Sequence, residues 1–387
     1  MRRFLEFDWI LVLPVLFLFG TSLLVLYSLS SVDGWSWSGN FFLRQGLFGL
    51  FGIMAMFFVA TIDYRHIARF STSLYFLSAG VLVLVVLFGR IVRGTTGWIE
   101  LGPIQFQPVE EAKIALIIFL ASFIAKKRSE LGEWVRIVVS FVLLSVLVFL
   151  VLRQPDLGSA LVLSSVWAGM IMVSGIRFHH IAVLAVLGVI IASSGWFFLQ
   201  EYQRNRIEVF IHPESDPRGS GYNVLQSMIA VGSGGLFGKG LGYGSQSQLN
   251  FLPEKHTDFL VAVIAEELGL VGIGATLFAY GVMLYRIRRI AEEARDNVGY
   301  LVCIGAFSYF LFQILVNVGM NVGALPVTGL PAPFLSYGGS SLLASFVVLG
   351  LVLSVHRRRR RGTSFPSGGF PGEDGFSQEI KGIPIFH

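Results

Sequence analysis

The sequence predicts an all-α membrane protein with ten transmembrane helices, both termini cytoplasmic, and a long extracytoplasmic loop between helices 7 and 8. Three observations support this fold class: the apolar composition, the length and number of the apolar runs, and the sidedness of the basic residues. Of the 387 residues, 54% are hydrophobic and 14% are charged, whereas an average soluble domain is about 25% charged. Despite the net charge of +5, we therefore expect membrane lipids around the chain, and no nucleic acid.

Each spanning helix needs about 20 mostly apolar residues, and ten runs approach this length, some only marginally. They are residues 9–29, 45–62, 72–88, 109–125, 134–152, 158–174, 180–199, 259–285, 299–322 and 340–355. The first run is long, lacks a small-residue cleavage site and is followed by further spans. We therefore expect it to be a spanning helix rather than a cleaved signal peptide.

The basic residues of the connecting segments are unevenly distributed between alternate loops. One set of loops contains most of the lysines and arginines, and the five arginines at 357–361 continue it. The short loops of the other set contain Arg44, Arg90, Arg93 and Arg153. Because positive residues are retained on the cytoplasmic side, the loops richer in lysine and arginine are predicted to be cytoplasmic. Both termini lie on this same side, so the number of spans is even.

The chain is predicted to contain one polytopic membrane domain, residues 1–356, and no soluble domain. Residues 357–387 begin with the arginine run, which suits anionic lipid headgroups, and continue as a tail rich in glycine, proline and serine. Such a tail cannot bury a hydrophobic core, so we predict that it is disordered. The single cysteine, Cys303, excludes a disulfide framework and a CxxC metal or redox site.

Three unusual connecting segments lie on the predicted outer side: residues 89–108, 200–257 and 323–339. The second is much the longest loop of the chain. Long ordered loops are uncommon unless they have a function. A site built from these segments would open to the exterior or to the outer half of the bilayer.

Ionisable residues within the predicted spans are the first candidates for a site. Glu110 and Lys113 are three residues apart and share one helical face, in a run that otherwise looks buried. Such groups should face a polar cavity or a partner, although carboxylates after Pro108 also complement a helix start. Glu266 and Glu267 lie about 12 Å inside the eighth run at about 1.5 Å per residue. For these two, structural ion pairing is favoured over a reactive role.

Asp258 is a different kind of candidate, because it ends the longest loop at the point where the chain enters the membrane, in LPEKHTDFLVAV. A carboxylate beside both water and a low-dielectric wall is well placed to act as a general base. Aspartate is also a good helix N-cap. From the residues alone both interpretations stand, and the helix cap is favoured.

The glycine cluster GSGGLFGKGLGYG, residues 232–244, superficially suggests a phosphate-binding loop. It lacks the GxxxxGK[ST] spacing, because Ser233 replaces the first glycine and Gly240 follows Lys239. We expect the glycines to allow tight backbone turns beside the membrane, and Lys239 to be either an ordinary loop charge or a phosphate contact. The histidines show no ligand spacing that predicts a zinc site.

Short motifs follow one another in order within residues 5–356. They are RGTTGW (93–98), FQPVEEAK (106–113), QPDLGSA (154–160), YQRNRI (202–207), DPRGSGYNVLQS (216–227), SQLNFLPEKHTDF (247–259) and PVTGLPAPFLSYGGSS (326–341). As a set they resemble the SEDS family (shape, elongation, division and sporulation), and its RodA-type members more than its division branch, FtsW. Val109 replaces the serine usual in QPSE and Ala332 replaces a leucine usual before the PF pair, but neither change removes a reactive group.

The resemblance implies a peptidoglycan glycosyltransferase in the bacterial plasma membrane. Such an enzyme polymerises lipid II, an undecaprenyl-diphosphate disaccharide-pentapeptide, into β-1,4 glycan strands for cell elongation and rod shape. The resemblance also assigns the catalytic role to Asp258, which replaces the helix-cap interpretation. A class B penicillin-binding protein is implied as the transpeptidase partner.

The expected substrate-binding residues are mainly cations that would stabilise the departing diphosphate. They are Arg93, Glu110 with Lys113, Arg204, Arg206 and Lys239. Ordinary loop or interface charge is the alternative for each cation. No cofactor is required, although a divalent cation, Mg²⁺ or Mn²⁺, could bridge phosphate oxygens and carboxylates. A lipid II flippase and a non-catalytic scaffold of the elongation machinery are the alternative functions.

Overall fold

The computed structural model describes residues 7–33, 40–92, 95–101, 104–127, 132–176, 179, 180, 183, 186, 201–216 and 219–359. These residues are mostly helical, as predicted. The helices are α1 (Trp9–Asp33), α2 (Phe41–Thr61), α3 (Tyr64–Arg69), α4 (Ser71–Phe88), α5 (Pro108–Lys127), α6 (Glu133–Leu152), α7 (Leu157–Met172), α8 (Glu201–Ile211), α9 (Ser220–Ser233), α10 (Ser245–Gln248), α11 (Leu260–Glu292), α12 (Asn297–Asn321) and α13 (Gly339–Arg357).

Nine of the ten predicted runs coincide with a helix whose ends differ by a few residues from the prediction. Within the described ranges, seven helices are long and apolar enough to cross a membrane, namely α1, α2, α4, α6, α11, α12 and α13. Helix α7 is apolar but has only 16 residues. The remaining predicted run, residues 180–199, lies almost wholly outside the described residues.

Helix α5, which contains the predicted ionisable pair Glu110 and Lys113, is deeply enclosed by other helices. It packs against α4, α7 and α12, and residues 112–122 are all buried. Its first turn contains two acidic residues, Glu110 and Glu111. Because its side chains meet protein rather than lipid, this helix can hold charged groups at a depth where a lipid-facing helix could not.

The segment between α4 and α5 departs from the helical pattern. It forms a three-stranded antiparallel sheet in the order β1 (Arg90–Val92), β2 (Thr95–Leu101) and β3 (Ile104–Phe106). In the second pairing Ile99 lies opposite Phe106. The threonine, isoleucine and aromatic residues suit a pleated strand, but strands this short cannot be told from a loop by their sequence period.

Helix α11 is broken at Gly269, whose φ of 68° and ψ of −163° are not helical. The glycine cluster packs into this break and supplies the hydrogen bonds that the helix loses there. Four backbone hydrogen bonds join the two segments: Lys239 N–H to Glu266 O (2.9 Å), Gly240 N–H to Glu267 O (3.0 Å), Leu270 N–H to Gly235 O (2.9 Å) and Val271 N–H to Leu236 O (3.1 Å). Non-helical backbone is tolerated in a membrane protein where protein groups satisfy it in this way. The predicted tight turns are confirmed, since several glycines of the cluster have positive φ.

We expect Gly269→Ala to lower the melting temperature in detergent clearly. A Cβ built at Gly269 would lie 2.2 Å from the Gly238 nitrogen, and backbone strain of this kind costs about 1–3 kcal/mol even without a clash. Gly274→Ala is the matched control, because it lies in the same helix with nothing within 4 Å of its Cβ. Similar melting temperatures for the two variants would contradict this account of the break.

Residues 323–338, which join α12 to α13 and were predicted as an outer connecting segment, form a re-entrant loop. Its residues Phe334 and Leu335 are buried in the bundle, and the Phe334 ring packs against Phe310 and Phe346 with centroids 5.5 and 5.1 Å apart. Since Phe310 precedes the end of α12 by about three turns, the loop descends about 16 Å at about 1.5 Å per residue.

Polar side chains from three helices hold the backbone of the re-entrant loop. Gln45 of α2 donates to the carbonyl of Ser336 at 3.1 Å, and the Tyr280 hydroxyl of α11 donates to the carbonyl of Pro333 at 2.6 Å. Ser22 of α1 donates to the carbonyl of Leu335. These buried bonds satisfy carbonyls that no helix ladder would satisfy.

At the opposite end of the bundle, three arginines of the C-terminal run bind protein groups. Arg357 donates to the carbonyl of Ala60 at 3.2 Å. Arg358 donates to the carbonyl of Thr61 at 2.7 Å and pairs with Asp63 at 3.2 Å. Arg359 pairs with Glu293 at 2.8 Å. The lipid-headgroup interpretation omitted this role, because the partners are distant in sequence. Residues 360–387, including most of the predicted tail, lie outside the described residues.

Candidate active site

Asp258 lies at the entrance of α11 but does not cap this helix. The helix begins at Leu260, and Phe259 occupies the N-cap position. The backbone N–H of Ala262, in the first turn, donates to the Asn321 Oδ1 of α12 at 3.0 Å. Because a side chain from another helix provides this cap, the helix-cap interpretation of Asp258 was wrong.

The backbone of Asp258 is held by two buried amides. Asn317 Nδ2 and Asn321 Nδ2 donate to the Asp258 carbonyl at 3.2 and 3.0 Å, and both asparagines are 0% exposed. The Asp258 residue itself is half-buried. Its main chain is therefore anchored while its carboxylate remains within reach of a ligand.

The re-entrant loop forms the wall beside Asp258. Gly329 in this loop has a φ of 74°, and a Cβ built on it would lie 3.8 Å from Asp258 Oδ2. On the other limb, the N–H of Tyr337 donates to the carbonyl of His256 at 2.9 Å. The segment that carries Asp258 thus lies between the two limbs of the loop.

Arg206 reaches the same wall from α8. Its Nη1 donates to the carbonyl of Thr328 at 3.1 Å, one residue before Gly329. Arg206 and Asp258, which are far apart in sequence, thus lie against adjacent residues of the same loop. Arg204 lies on the exposed side of α8, and Arg93 lies outside the described residues.

The starts of α5, α7 and α13 also meet near this wall. A Cβ built on Gly158, at the start of α7, would lie 2.9 Å from the carbonyl of Thr328. Gln107, just before α5, donates its backbone N–H to the Ser340 hydroxyl at 3.1 Å, and its amide lies 3.5 Å from Asp156 Oδ2. Helix starts carry partial positive charge, which favours anionic ligands.

Glu110 and Lys113 form the ion pair predicted from their spacing. Lys113 Nζ lies 2.8 Å from Glu110 Oε1, and the two side chains are 0% and 3% exposed. Within the described part of the chain, Glu110 Oε2 has no hydrogen-bond partner. A lysine ammonium has three donors, and in this part of the chain Glu110 is its hydrogen-bond acceptor. The pair is thus buried, yet its hydrogen-bonding capacity is only partly used.

Lys239 and Glu266 form a second ion pair, at 2.9 Å, between the glycine cluster and α11. The fully buried Glu266 also accepts the backbone N–H groups of Gln246 and Ser247 at 2.9 and 3.0 Å. The predicted ion pairing of Glu266 is confirmed, and the contact favours the structural alternative for Lys239. The next carboxylate, Glu267, accepts from Ser28 and Gln248, and among the described residues it forms no ion pair of the kind expected for it.

No group of three or more His, Cys, Asp or Glu side chains is arranged to hold a metal ion among the residues that the structure describes. The divalent cation therefore stays a prediction without a ligand set in this part of the chain. We assign no step of the chemistry to a metal.

The polar residues that support the site were not predicted from the sequence. Asn317 and Asn321 lie one turn apart within an otherwise apolar run, and polar groups at such positions should have partners. The spacing of these two asparagines could therefore have indicated a polar contact inside the bundle. Gln45, Ser22 and Tyr280 gave no such signal, because single polar or aromatic residues are common in spanning helices.

Fold and site together define a multi-pass helical membrane protein in which Asp258 and Arg206 lie against a re-entrant loop at one end of the bundle. The chain matches the family model of the cell cycle proteins FtsW, RodA and SpoVE over residues 9–361. It belongs to this family, which is the SEDS family that the motifs indicated.

Individual relatives match over nearly the whole chain. The chain is 39% identical to the peptidoglycan glycosyltransferase MrdB of Escherichia coli K12 over 347 residues, covering 88% of this chain and 94% of MrdB. It is 38% identical to stage V sporulation protein E of Bacillus subtilis over 362 residues, covering 91% and 98%.

Two solved structures share the fold. One belongs to a study of a peptidoglycan synthase complex and of how it coordinates polymerization and crosslinking; its TM-score is 0.76 at 33% identity, covering 92% of this chain and 99% of that chain. The other is the rod shape determining protein RodA of Thermus thermophilus, with a TM-score of 0.67 at 30% identity, covering 92% and 98%.

Proposed function

We propose that this protein is a peptidoglycan glycosyltransferase that polymerises lipid II into β-1,4 glycan strands for cell elongation and rod shape. The observation that carries the proposal is the anchored, half-buried Asp258 beside the re-entrant loop that Arg206 also contacts. Relatives with this fold that cover nearly the whole chain are named as peptidoglycan glycosyltransferases, which supports the same activity here.

Asp258 is the general base in this proposal. It takes the proton of the acceptor GlcNAc 4-hydroxyl, whose oxygen forms the new bond to the anomeric carbon of the donor. The bond from that carbon to the undecaprenyl diphosphate breaks, and its electron pair leaves on the diphosphate. Attack from the face opposite the leaving group inverts the α-linked donor to a β-1,4 bond, so no protein nucleophile is needed.

The departing diphosphate requires positive charge. Lys113 fits this role, because its buried ammonium has donors that Glu110 does not use. Arg206 fits it through its bond to Thr328, next to the glycine that faces Asp258. Arg93, Arg204 and Lys239 remain candidates from the sequence, and Lys239 is the weakest of them because Glu266 already neutralises it.

The ten spans, cytoplasmic termini and bacterial plasma membrane location complete the proposal. The Asp258 end of the bundle then faces the exterior, where glycan strands are built. The basic residues at the opposite end, such as Arg286 and Arg358, agree with the positive-inside rule.

Cysteine labelling tests this orientation. A cysteine at Ser245, which is exposed directly after the glycine cluster, should react with impermeant maleimide in intact spheroplasts, whereas one at Ser364 should react only after lysis. The background should be low, since the single native thiol, Cys303, is buried. The reverse labelling pattern would refute an outward-facing site.

A class B penicillin-binding protein is the proposed partner. Glycan strands must be crosslinked, and the sequence contains no SxxK, SDN and KTG set of a transpeptidase. The similarity to a component of a peptidoglycan synthase complex supports a partnership of this kind.

Purified protein incubated with lipid II in detergent separates the three candidate functions. A polymerase makes glycan strands without any vesicle. A flippase needs two membrane faces to act, and its functional groups should reach both of them, whereas the groups described here gather at one end. A scaffold would make no strands and would not need Asp258.

A further inference from the structure

We infer that Asn317 and Asn321 are positioning residues, which fix the Asp258 carboxylate relative to the wall that it faces. The inference rests on the proposed role of Asp258 as general base. Both asparagines are 0% exposed and lie one turn apart on α12, and neither belongs to a motif that the sequence analysis singled out.

The two amides converge on a single carbonyl. Asn317 Nδ2 and Asn321 Nδ2 both donate to the Asp258 oxygen, at 3.2 and 3.0 Å. A backbone carbonyl has two lone pairs, so the pair occupies its full accepting capacity. The Asp258 peptide cannot rotate without breaking both buried bonds.

The same side chains also fix the elements on either side of Asp258. Asn321 Oδ1 accepts the N–H of Ala262 at 3.0 Å, which sets the start of α11. Asn317 Nδ2 donates to the carbonyl of Leu330 at 2.7 Å, next to the glycine that faces the carboxylate. The same two asparagines therefore hold the backbone of Asp258, the start of α11 and the loop that faces the Asp258 carboxylate.

A structural role alone would not require this arrangement. Capping α11 needs one oxygen acceptor. Asn321 Nδ2 also donates to the carbonyl of Asn317 in its own helix at 2.8 Å, yet both Nδ2 groups reach the Asp258 carbonyl, and that of Asn317 also reaches the carbonyl of Leu330 beside Gly329. Burying two amides is costly unless they are fully hydrogen-bonded, and here the bonds that both amides make outside their own helix are the ones to the base and to the loop that faces it. A displacement of about 1 Å at a reacting group can cost about 10²-fold in rate.

Asn317→Ala and Asn321→Ala should each lower kcat for lipid II polymerisation by about 10- to 100-fold, with little change in KM. The solvent deuterium isotope effect on kcat should increase, because proton transfer to a displaced base becomes more rate-limiting. A smaller folded fraction would reduce the rate but would change neither KM nor the isotope effect.

Gln313→Ala is the matched control. Gln313 lies one turn before Asn317 on the same helix and is 1% exposed, but its amide bonds the carbonyl of Tyr309 in its own helix at 3.4 Å. We expect this variant to keep the wild-type kcat and isotope effect, even where it loses some stability.

The double variant Asn321→Ala/Asp258→Asn decides whether the asparagine acts through Asp258. Its residual rate should equal that of Asp258→Asn alone. Wild-type kcat and isotope effect in both alanine variants, or a further loss in the double variant, would overturn the positioning role. If instead Asp258→Asn itself stays active, the base assignment fails, whatever the asparagine variants do.

Discussion

Asp258→Asn should leave the protein folded and almost inactive in lipid II polymerisation. The asparagine keeps the shape of the side chain, and the carbonyl that Asn317 and Asn321 hold is unchanged. Helix α11 is capped by Asn321 rather than by Asp258, so this cap survives. The lost function is proton acceptance, which contributes about 10²–10⁴-fold in general-base catalysis.

The measurement is the initial polymerisation rate of purified protein in detergent, together with its melting temperature. Asp296→Asn is the matched control, because Asp296 is an N-cap that accepts the N–H of Gly299 at 2.8 Å. Asparagine caps a helix about as well as aspartate, so the control should polymerise normally. A rate for Asp258→Asn above about a tenth of wild type, well short of the general-base factor, would show that Asp258 is not the base.

Lys113→Ala should reduce both stability and polymerisation strongly. It leaves the carboxylate of Glu110 buried at 3% exposure without its cation, and breaking a buried pair in this way costs about 3–5 kcal/mol. Activity should fall further than the folded fraction, because we also assign the ammonium to the diphosphate. Thermal unfolding and polymerisation of the same preparation would measure the two effects.

The double variant Glu110→Gln/Lys113→Met separates structure from function at this pair. Replacing both members of a buried ion pair by neutral groups of similar size is often close to neutral for stability, so the double variant should regain much of the melting temperature. It should remain inactive if the pair binds substrate. Recovered polymerisation would show that the pair only stabilises α5.

Arg288→Ala provides the control for removing a cation in general. Arg288 pairs with Glu292 at 3.1 Å in an exposed position at the other end of the bundle. Exposed pairs contribute about 0–1 kcal/mol, so this variant should resemble wild type in both assays.

Hydropathy predicted the helices well because bilayer insertion is a local property of the chain. About 20 apolar residues suffice to span the hydrocarbon core, and nine predicted runs coincide with helices. The Glu110–Lys113 ion pair could be predicted for the same reason, since residues three apart in the sequence share a helical face. Asp258 was noticed for its place at the membrane boundary, but its chemistry came from the family motif and not from its surroundings.

The support of Asp258 could not be predicted, because it depends on contacts between residues that are far apart in the chain. The cap of α11 comes from Asn321, about 60 residues further on, and so the favoured helix-cap interpretation failed. The break at Gly269 is stable only because the glycine cluster supplies its hydrogen bonds. The depth of the re-entrant loop depends likewise on Ser22, Gln45 and Tyr280.

Local composition therefore accounts for where this chain crosses a membrane and which ionisable residues are unusual. Local composition does not predict which of these ionisable residues come into contact. Backbone polar groups away from water must find partners, and in this bundle the partners at the breaks and loops are side chains from other helices. Such partners become neighbours only when the helices pack, and this is why the place of Asp258 between two limbs of a re-entrant loop could be seen only in the folded protein.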